Sequence, residues 1–155
     1  MSNYAPIRLA ASATAGLLAA AILAAPSAQA AERTLRVRET IVATHSDDVG
    51  KKGPSLGDRL MFVSRLSSGT ARAGTAVGDC TWYSGKSKAT AQYYCTEVFR
   101  LRGGQIAIAG LFSYTRTVNT FAITGGTGRF RDSTGQAVAR TVGADAFEDA
   151  FHLAR

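Results

Sequence analysis

FAITGGTGRFRDSTGQAVA, residues 121–139, combines two short runs of β-forming residues with a glycine-rich reversal between them. Phe121 and Ile123 belong to the first run and Val138 to the second, so each run is typical of a strand. The glycines of the GGTG segment give the backbone the conformational freedom that a sharp reversal needs. The stretch therefore predicts a strand, a glycine turn, a short basic and aromatic segment, and a second strand.

The glycines of this turn do not form a nucleotide-binding loop. A phosphate-binding P-loop has the pattern G-x-x-x-x-G-K-[ST], and no Lys follows these glycines. A dinucleotide-binding turn opens a helix, whereas the segment Arg129–Asp132 is short and is soon ended by Gly135. The sequence therefore excludes both kinds of nucleotide site at this turn.

The first thirty residues have the features of a secretory leader. Arg8 lies in a short positive segment, residues 10–25 are almost uninterruptedly apolar, and residues 28–30 form an A-x-A cleavage pattern. We predict a cleaved signal peptide at 1–30 and a single domain at 31–155. An uncleaved membrane anchor is the alternative, which the small residues at the exit and the lack of a flanking basic cluster disfavour. The predicted location is secreted or extracellular, with no membrane span after cleavage.

The formal charge of the chain is +7, and its arginines are scattered along the sequence. A nucleic-acid-binding surface needs Lys and Arg clustered on one face, and the sequence contains no dense basic tract. We therefore expect no nucleic-acid partner. The charge favours a basic secreted protein that adheres to anionic polymers of the cell envelope.

Cys80 and Cys95 are the only cysteines, and an exported protein permits a disulfide between them. Ser84-Gly85-Lys86-Ser87 is a good hairpin turn, and pairing the strands around it places Cys80 opposite Cys95. A bridge that closes a loop of about 15 residues contributes roughly 3 kcal/mol to stability. Two free thiols or half of a metal site are the alternatives. His45 and His152 are the only histidines and C-x-x-C is absent, so we expect no metal.

Alternation between apolar and polar residues dominates the rest of the chain, and helical periodicity is almost absent. The candidate strands are joined by short turns, apart from a polar loop at 44–55 that is long enough to act as a lid. An antiparallel sheet of this size must hide one face and protect its edges, and closure into a barrel does both. The predicted fold is all-β, a single eight-stranded, mainly antiparallel, calycin-like closed barrel, with a two-sheet sandwich as the alternative. The predicted strands are 34–43, 57–66, 75–83, 92–101, 105–114, 119–124, 136–141 and 146–153.

Four segments, in order along the chain, match motifs of one β-barrel superfamily. Gly57–Phe62 resembles the G-D-x-x-x-F entry of a second strand, and Gly103–Ile106 resembles a G-G-Q-I turn. Thr124–Phe130 resembles a GG[TS]G-x-[FY] motif, and Ser133–Gln136 resembles the start of the strand that follows it. By these motifs the chain is similar to the allene oxide cyclase and dirigent-like superfamily, above all to its small secreted bacterial members. The resemblance implies one barrel domain over 31–155.

The resemblance also implies an activity, because members of this superfamily are cofactor-free cyclases or steer radical coupling inside the barrel. They direct a carboxylate of the first strand into the cavity, and Glu39 matches that acid. Ile41 stands where the plant cyclases have Asn, so the match does not extend to fatty-epoxide cyclisation. Because one scaffold hosts several chemistries, the fold alone does not choose the reaction.

Strand alternation indicates the same acid independently of the family. Glu39 shares a face with Val37 and Ile41, so an inward face makes it a carboxylate among apolar groups. Burial there raises its pKa, which suits a general acid or base, or an anchor for a cationic or hydroxylated ligand. The alternatives are an ion pair with an inward arginine, or a rotated strand that leaves the acid in water.

Two further acids and a set of aromatic residues complete the predicted site. Asp149 and Glu97 each share an apolar face with aromatic residues of their own strands, and converging carboxyls split their pKa values. We rank Glu39 first as a catalytic residue, Asp149 second and Glu97 third. Ordinary core packing is the alternative for the aromatic residues. Those expected to line a ligand cavity are Phe62, Tyr94, Phe99, Phe112, Tyr114 and Phe121.

Three functions fit these features. The first is a cofactor-free cyclase or isomerase that acts on a small hydrophobic molecule, with Glu39 as its acid–base group. The second is a secreted barrel that binds such a molecule without chemistry, and the third is an envelope-associated barrel whose interior is filled by side chains. Apolar residues on the predicted outer face, Met61 and Val63, together with one of Trp82 and Tyr83, favour a homo-oligomer.

Overall fold

The computed structural model describes residues 33–87 and 90–154, which form eight strands and one short 3-10 helix. The predicted signal peptide at 1–30 lies outside the described residues. None of the helices within the described part is long and apolar enough to cross a membrane. The strands are β1 Arg33–Asp47, β2 Arg59–Ser68, β3 Ala71–Ser84, β4 Gln92–Leu101, β5 Gly104–Ser113, β6 Val118–Gly126, β7 Thr134–Gly143 and β8 Ala146–Ala154, and the 3-10 helix is Gly128–Phe130.

Each strand pairs antiparallel with the next, and β8 pairs with β1, which closes the sheet into a barrel. The predicted closed barrel is therefore confirmed over the two-sheet sandwich, and closure leaves the sheet without a free edge. The loop at 48–58 and the β3–β4, β5–β6 and β7–β8 turns lie at one end, which we name the open end. The opposite end, which carries the 3-10 helix, is named the packed end.

The first strand is longer than the sequence predicts. A polar loop is expected from Thr44 onwards, whereas β1 continues to Asp47. A bulge between Ile41 and Ala43 shifts the register, after which Thr44 lies opposite Phe62 of β2. The backbone hydrogen bonds of the ladder thus override the polar composition of these residues.

Aromatic side chains fill the packed end. Phe99 and Phe151 are fully buried, and their rings meet edge to face with 4.8 Å between the centroids. Leu66, Ile106 and Phe130 belong to the same buried cluster. Each such side chain stabilises the fold by about 1.5–3 kcal/mol when it is removed from water. This end of the barrel therefore has a structural role.

The glycine turn after β6 docks on the turn between β4 and β5. The N–H of Arg129 donates to the carbonyl of Gly103 (2.9 Å), and the N–H of Thr127 donates to the carbonyl of Gln105 (2.9 Å). Gly128 has a φ of +58°, and a Cβ there would lie 2.2 Å from the carbonyl oxygen of Gly103. Only glycine fits so close a backbone approach, so the packing of the two turns requires Gly128 of the GGTG motif.

Replacing Gly128 by Ala should therefore destabilise the barrel, because the left-handed backbone and the clash with a peptide oxygen together cost about 3 kcal/mol. Gly143→Ala is the matched control, since a Cβ at Gly143 would meet only the Cβ of Ala146 at 3.4 Å. The control should change the free energy of unfolding by less than about 0.5 kcal/mol. Urea denaturation followed by circular dichroism measures both. Equal stability of the two variants would show that the turn does not need its glycine.

Candidate functional site

The open end of the barrel leads into an internal cavity. The cavity has a volume of about 60 Å³. The empty space around it is about 540 Å³ when the open mouth is included. The cavity is therefore narrow, with room for a few water molecules or one small chemical group below the mouth. Two acids, one disulfide and six aromatic residues line it. The aromatic residues are Phe62, Tyr93, Phe112, Tyr114, Phe121 and Phe147.

The disulfide in the cavity wall is the predicted one. Cys80 of β3 and Cys95 of β4 are register partners across the hairpin, and their sulfur atoms are bonded. Both cysteines are buried and line the cavity. The alternatives of free thiols and of half a metal site are therefore excluded, and the bridge fixes the two strands beside the cavity.

Five rings form a continuous arc around the mouth, which we name the aromatic arc. Trp82 and Tyr93 lie 5.7 Å apart between ring centroids, and Tyr93 and Tyr114 lie 5.9 Å apart. Phe112 meets Tyr114 edge to face at 4.9 Å and Phe147 at 6.2 Å. Offset and edge-to-face contacts of this kind favour defined ring positions. The mouth therefore has a preformed aromatic wall.

Two aromatic residues expected on the cavity wall lie elsewhere. Phe99 belongs to the packed end, because its position along β4 is below the level of the cavity. Tyr94 is 50% exposed on the outer face, and its neighbour Tyr93 is the residue that points inward. Since Cys95 faces inward, strand alternation assigns Tyr93 and not Tyr94 to the interior. The remaining expected residues on the wall are Phe62, Phe112, Tyr114 and Phe121.

Glu39 lies on the inner face of β1 and is 3% exposed. Its register partners are Phe147 on β8 and Leu66 on β2. Asp149 is two residues beyond Phe147, so its side chain is a diagonal neighbour of Glu39 on the inner face. Ser64 is two residues from Leu66 and has the same relation to Glu39 from β2. The barrel thus surrounds one carboxyl with polar groups from both adjacent strands.

Glu97 of β4 adds a third carboxyl, and we name Glu39, Ser64, Glu97 and Asp149 the acid layer. Glu39 and Glu97 line the cavity, whereas Asp149, which is 4% exposed, does not contribute to its wall. Glu97 is therefore accessible from the cavity and Asp149 is not, although the sequence analysis ranks Asp149 above Glu97. The layer separates the cavity from the aromatic cluster of the packed end.

Burial raises the pKa of all three carboxyls in the acid layer. For Glu39 desolvation is the largest cause, and the Ser64 hydroxyl and the other two acids oppose it by stabilising the charged form. The pKa of Glu97 is raised well above its usual range, by burial first and then by the charges of Glu39 and Asp149. Burial and the charge of Glu39 raise the pKa of Asp149 to about 8. The three acids therefore titrate as one interacting group, in which burial disfavours the charged form of each member.

Several buried atoms of the acid layer have no hydrogen-bond partner outside the layer among the described residues. Within the layer, hydrogen bonding of Ser64, Glu97 and Asp149 with Glu39 contributes to the pKa of Glu39. A buried polar atom without a partner costs about 1–3 kcal/mol, so the layer offers places that a bound molecule or water would fill. The unpartnered atoms are Glu39 Oε1, Ser64 Oγ, Glu97 Oε1 and Asp149 Oδ2. Within 33–87 and 90–154, no group of three or more His, Cys, Asp or Glu is arranged to hold a metal ion.

The loop at 48–58, which overlaps the segment 44–55 predicted as a lid, borders a wide basin outside the cavity mouth. Asp58 holds this loop, because its carboxylate accepts hydrogen bonds from the N–H groups of Ser55 (2.8 Å) and Val49 (2.9 Å). These bonds lower the pKa of Asp58. The basin has an empty volume of about 1690 Å³ that includes open solvent, and Trp82 lies on its wall. A ligand can therefore extend from the narrow cavity into a wider space.

Several solved structures share this barrel. A pyocyanin demethylase is 26% identical, with a TM-score of 0.70 over 78% of this chain and 99% of that chain. The exo-specific intermolecular Diels-Alderase AbnU is 18% identical, with a TM-score of 0.64 over 79% of this chain and 98% of that chain. The pterocarpan synthase dirigent protein GePTS1 is 20% identical, with a TM-score of 0.64 over 83% of this chain and 88% of that chain. At their lower identities the last two show the fold alone.

No curated protein matches the sequence significantly. The domain family described as "Allene oxide cyclase barrel like domain" matches residues 38–152, which run from the first strand to the last. The match agrees with the motifs in the sequence, with the closed eight-stranded barrel and with the fold of the Diels-Alderase and dirigent structures. The chain therefore belongs to the allene oxide cyclase barrel like domain family.

Proposed function

We propose that the barrel binds a small, mainly hydrophobic molecule in its cavity and isomerises or cyclises it by proton transfer, with Glu39 as the general base. The observation that carries the proposal is the position of Glu39, which is 3% exposed yet lines an open cavity with aromatic walls. A desolvated carboxylate is a stronger base than one in water, because burial raises its pKa.

The acid layer supplies complementary roles. Glu39 removes a proton from a carbon next to a carbonyl group of the substrate. Glu97, protonated and on the cavity wall, donates a hydrogen bond to the carbonyl oxygen as negative charge develops there. In a β,γ-unsaturated substrate, return of the same proton from Glu39 to the γ-carbon of the conjugated enolate completes an isomerisation. Alternatively, the enolate carbon adds to a C=C or C=O group of the same substrate, whose π bond breaks as the ring bond forms, and Glu39 returns its proton to the resulting anion. Neither outcome changes the oxidation state of the substrate, so the reaction needs no redox cofactor.

The structural neighbours support chemistry on this scaffold without selecting the reaction. Their names describe a demethylase, a Diels-Alderase and a pterocarpan synthase, which are different reactions of one barrel fold. A secreted binder without chemistry is the second candidate, and it uses the same cavity. A barrel with a filled interior is disfavoured, because the cavity reaches from the mouth to Glu39 and Glu97.

Substituting Glu39 by Gln should abolish proton transfer while ligand binding persists. The probe is 2-indanone, a flat ketone with acidic C–H groups, whose hydrogen exchange in D₂O is followed by proton NMR. The wild-type protein should accelerate this exchange above the buffer rate, and the variant should lose about 100-fold or more of the acceleration. Binding is measured separately through the fluorescence of Trp82, the only tryptophan of the chain.

Glu148→Gln is the matched control for that experiment, because Glu148 precedes Asp149 on β8 and is exposed on the outer face. It should exchange 2-indanone at the wild-type rate. Unchanged exchange in Glu39→Gln would remove Glu39 from the mechanism. Binding of 2-indanone with exchange at the buffer rate in all three proteins would favour the binder over the enzyme.

The acid layer should also affect how the free energy of unfolding of the ligand-free protein depends on pH. The folded pKa of Asp149 is about 8 and its ordinary value is 3.8, so between these values the folded state holds a proton that the unfolded state has lost. This contribution to the free energy of unfolding is therefore present below the unfolded pKa and is lost as the pH rises towards the folded pKa. Asp149→Asn removes that loss, so the variant should gain stability relative to wild type over this range, by about 1.4 kcal/mol for each pH unit between the two pKa values.

Urea denaturation at pH 5 and pH 8 measures the difference. Asp132→Asn is the control, since Asp132 is exposed at the packed end and pairs there with Arg131 at 3.1 Å. The control should keep the wild-type dependence on pH. Parallel curves for wild type and Asp149→Asn would show that Asp149 ionises at an ordinary pH in the folded state.

We further propose that the protein is exported, its leader being cleaved after residue 30 and the disulfide forming outside the cytoplasm. Intact-mass analysis of the protein from the culture medium should give a chain that begins at Ala31. Its mass should rise by about two daltons on reduction, because Cys80 and Cys95 gain one hydrogen each. A chain retained in the cells with residue 1 in place would contradict export.

A further inference from the structure

The charges around the cavity have the opposite sign to the charge of the whole chain. The formal net charge is +7, yet the ionisable side chains with acidic or basic groups that line the cavity are the carboxyls of Glu39 and Glu97 and the phenols of Tyr93 and Tyr114, without a Lys, Arg or His among them. Desolvated carboxyl groups in proteins normally have a cationic partner or lose their charge. For these two acids the described part of the chain supplies no such partner inside the cavity.

The basin outside the mouth continues the same pattern. Three acids line it, Asp47, Asp48 and Asp58, and Arg59 is the basic residue on its wall. Arg59 is held in an ion pair with Asp79 on the neighbouring strand, so its charge is already compensated. His45, on the outer side of β1, lies 2.9 Å from Asp47. The lysines of the loop, Lys51 and Lys52, do not line the basin.

The aromatic arc adds a second, independent source of attraction for positive charge. The face of an aromatic ring carries negative electrostatic potential, which attracts a desolvated cation placed over it. Five rings border the mouth, from Trp82 to Phe147, and part of the arc faces the basin. A cation in the mouth is thus close to these rings and to the carboxyl of Glu39 below them.

From these three features we infer that the substrates or ligands of this site carry a positively charged nitrogen on an aromatic or otherwise apolar body. The cation lies beside the aromatic arc, within electrostatic reach of the carboxyl of Glu39, and the apolar body lies along the arc. Anionic molecules of the same shape are excluded, because like charges on ligand and wall repel. The inference rests on the proposed binding function and names the class of molecule that it accepts.

Three probes of nearly equal size separate this inference from simple hydrophobic binding. Phenyltrimethylammonium carries a fixed cation, tert-butylbenzene is its neutral carbon isostere, and benzenesulfonate is an anion on the same ring. Isothermal titration calorimetry gives the affinities, and Trp82 fluorescence reports binding at the mouth. We expect the cation to bind about 10-fold or more tightly than the isostere, and benzenesulfonate not to bind.

Two variants locate the source of the preference. Glu39→Gln should remove most of the preference for the cation over tert-butylbenzene, whereas Glu148→Gln on the outer face should keep it. If Glu39→Gln fails to fold by circular dichroism, Asp47→Asn on the basin wall gives a milder test, with a loss of about two-fold to five-fold at low salt.

The outcomes distinguish this inference from the proposed function. Equal or tighter binding of tert-butylbenzene, or a preference that survives both Glu39→Gln and Asp47→Asn, overturns the cationic class. The exchange of 2-indanone, measured in parallel, decides separately whether the barrel is a proton-transfer enzyme. Absence of binding by all three probes also overturns the inference, and any remaining exchange of 2-indanone keeps the proposed function.

Discussion

The desolvation of the Glu39 carboxyl is the constraint on which the rest of the interior depends. A carboxyl that is 3% exposed must be stabilised by its surroundings or remain protonated. The other members of the acid layer surround this carboxyl, and their hydrogen bonding opposes the effect of burial on the pKa of Glu39. The packed end below and the aromatic mouth above are apolar, which confines the polarity of the interior to one level.

The room above the acid layer comes from glycines on the inner faces of the strands. A Cβ at Gly78 would lie 2.2 Å from the ring of Phe62, so that ring occupies the place of the missing side chain. At Gly110 a Cβ would approach Phe121 to 3.1 Å, which is the same arrangement on another strand. Both rings lie against the wall instead of crossing the interior, and the cavity remains open as far as Glu39.

The sequence is sufficient to predict that the three acids face inward, but not how far along the barrel each residue lies. Alternation on β1, β4 and β8 places Glu39, Glu97 and Asp149 inside, as the structure has them. The level of a residue depends on the stagger of the strands and on bulges such as that at Ile41, which alternation does not encode. Alternation therefore predicts Phe99 on the cavity wall, whereas the side chain packs below the cavity.

The acid layer lowers the stability of the folded state, and the barrel fold does not require acids at these positions. Apolar residues of similar size would pack at these positions and would remove both the desolvated charge and the unpartnered oxygens. The packed end, the closed sheet and the Cys80–Cys95 bridge supply stability that does not depend on these acids. Local departures from the rules of packing are expected at functional sites, where stability is given up for chemistry. The position of this departure, at the inner end of an open aromatic cavity, therefore argues for a ligand that interacts with Glu39 directly.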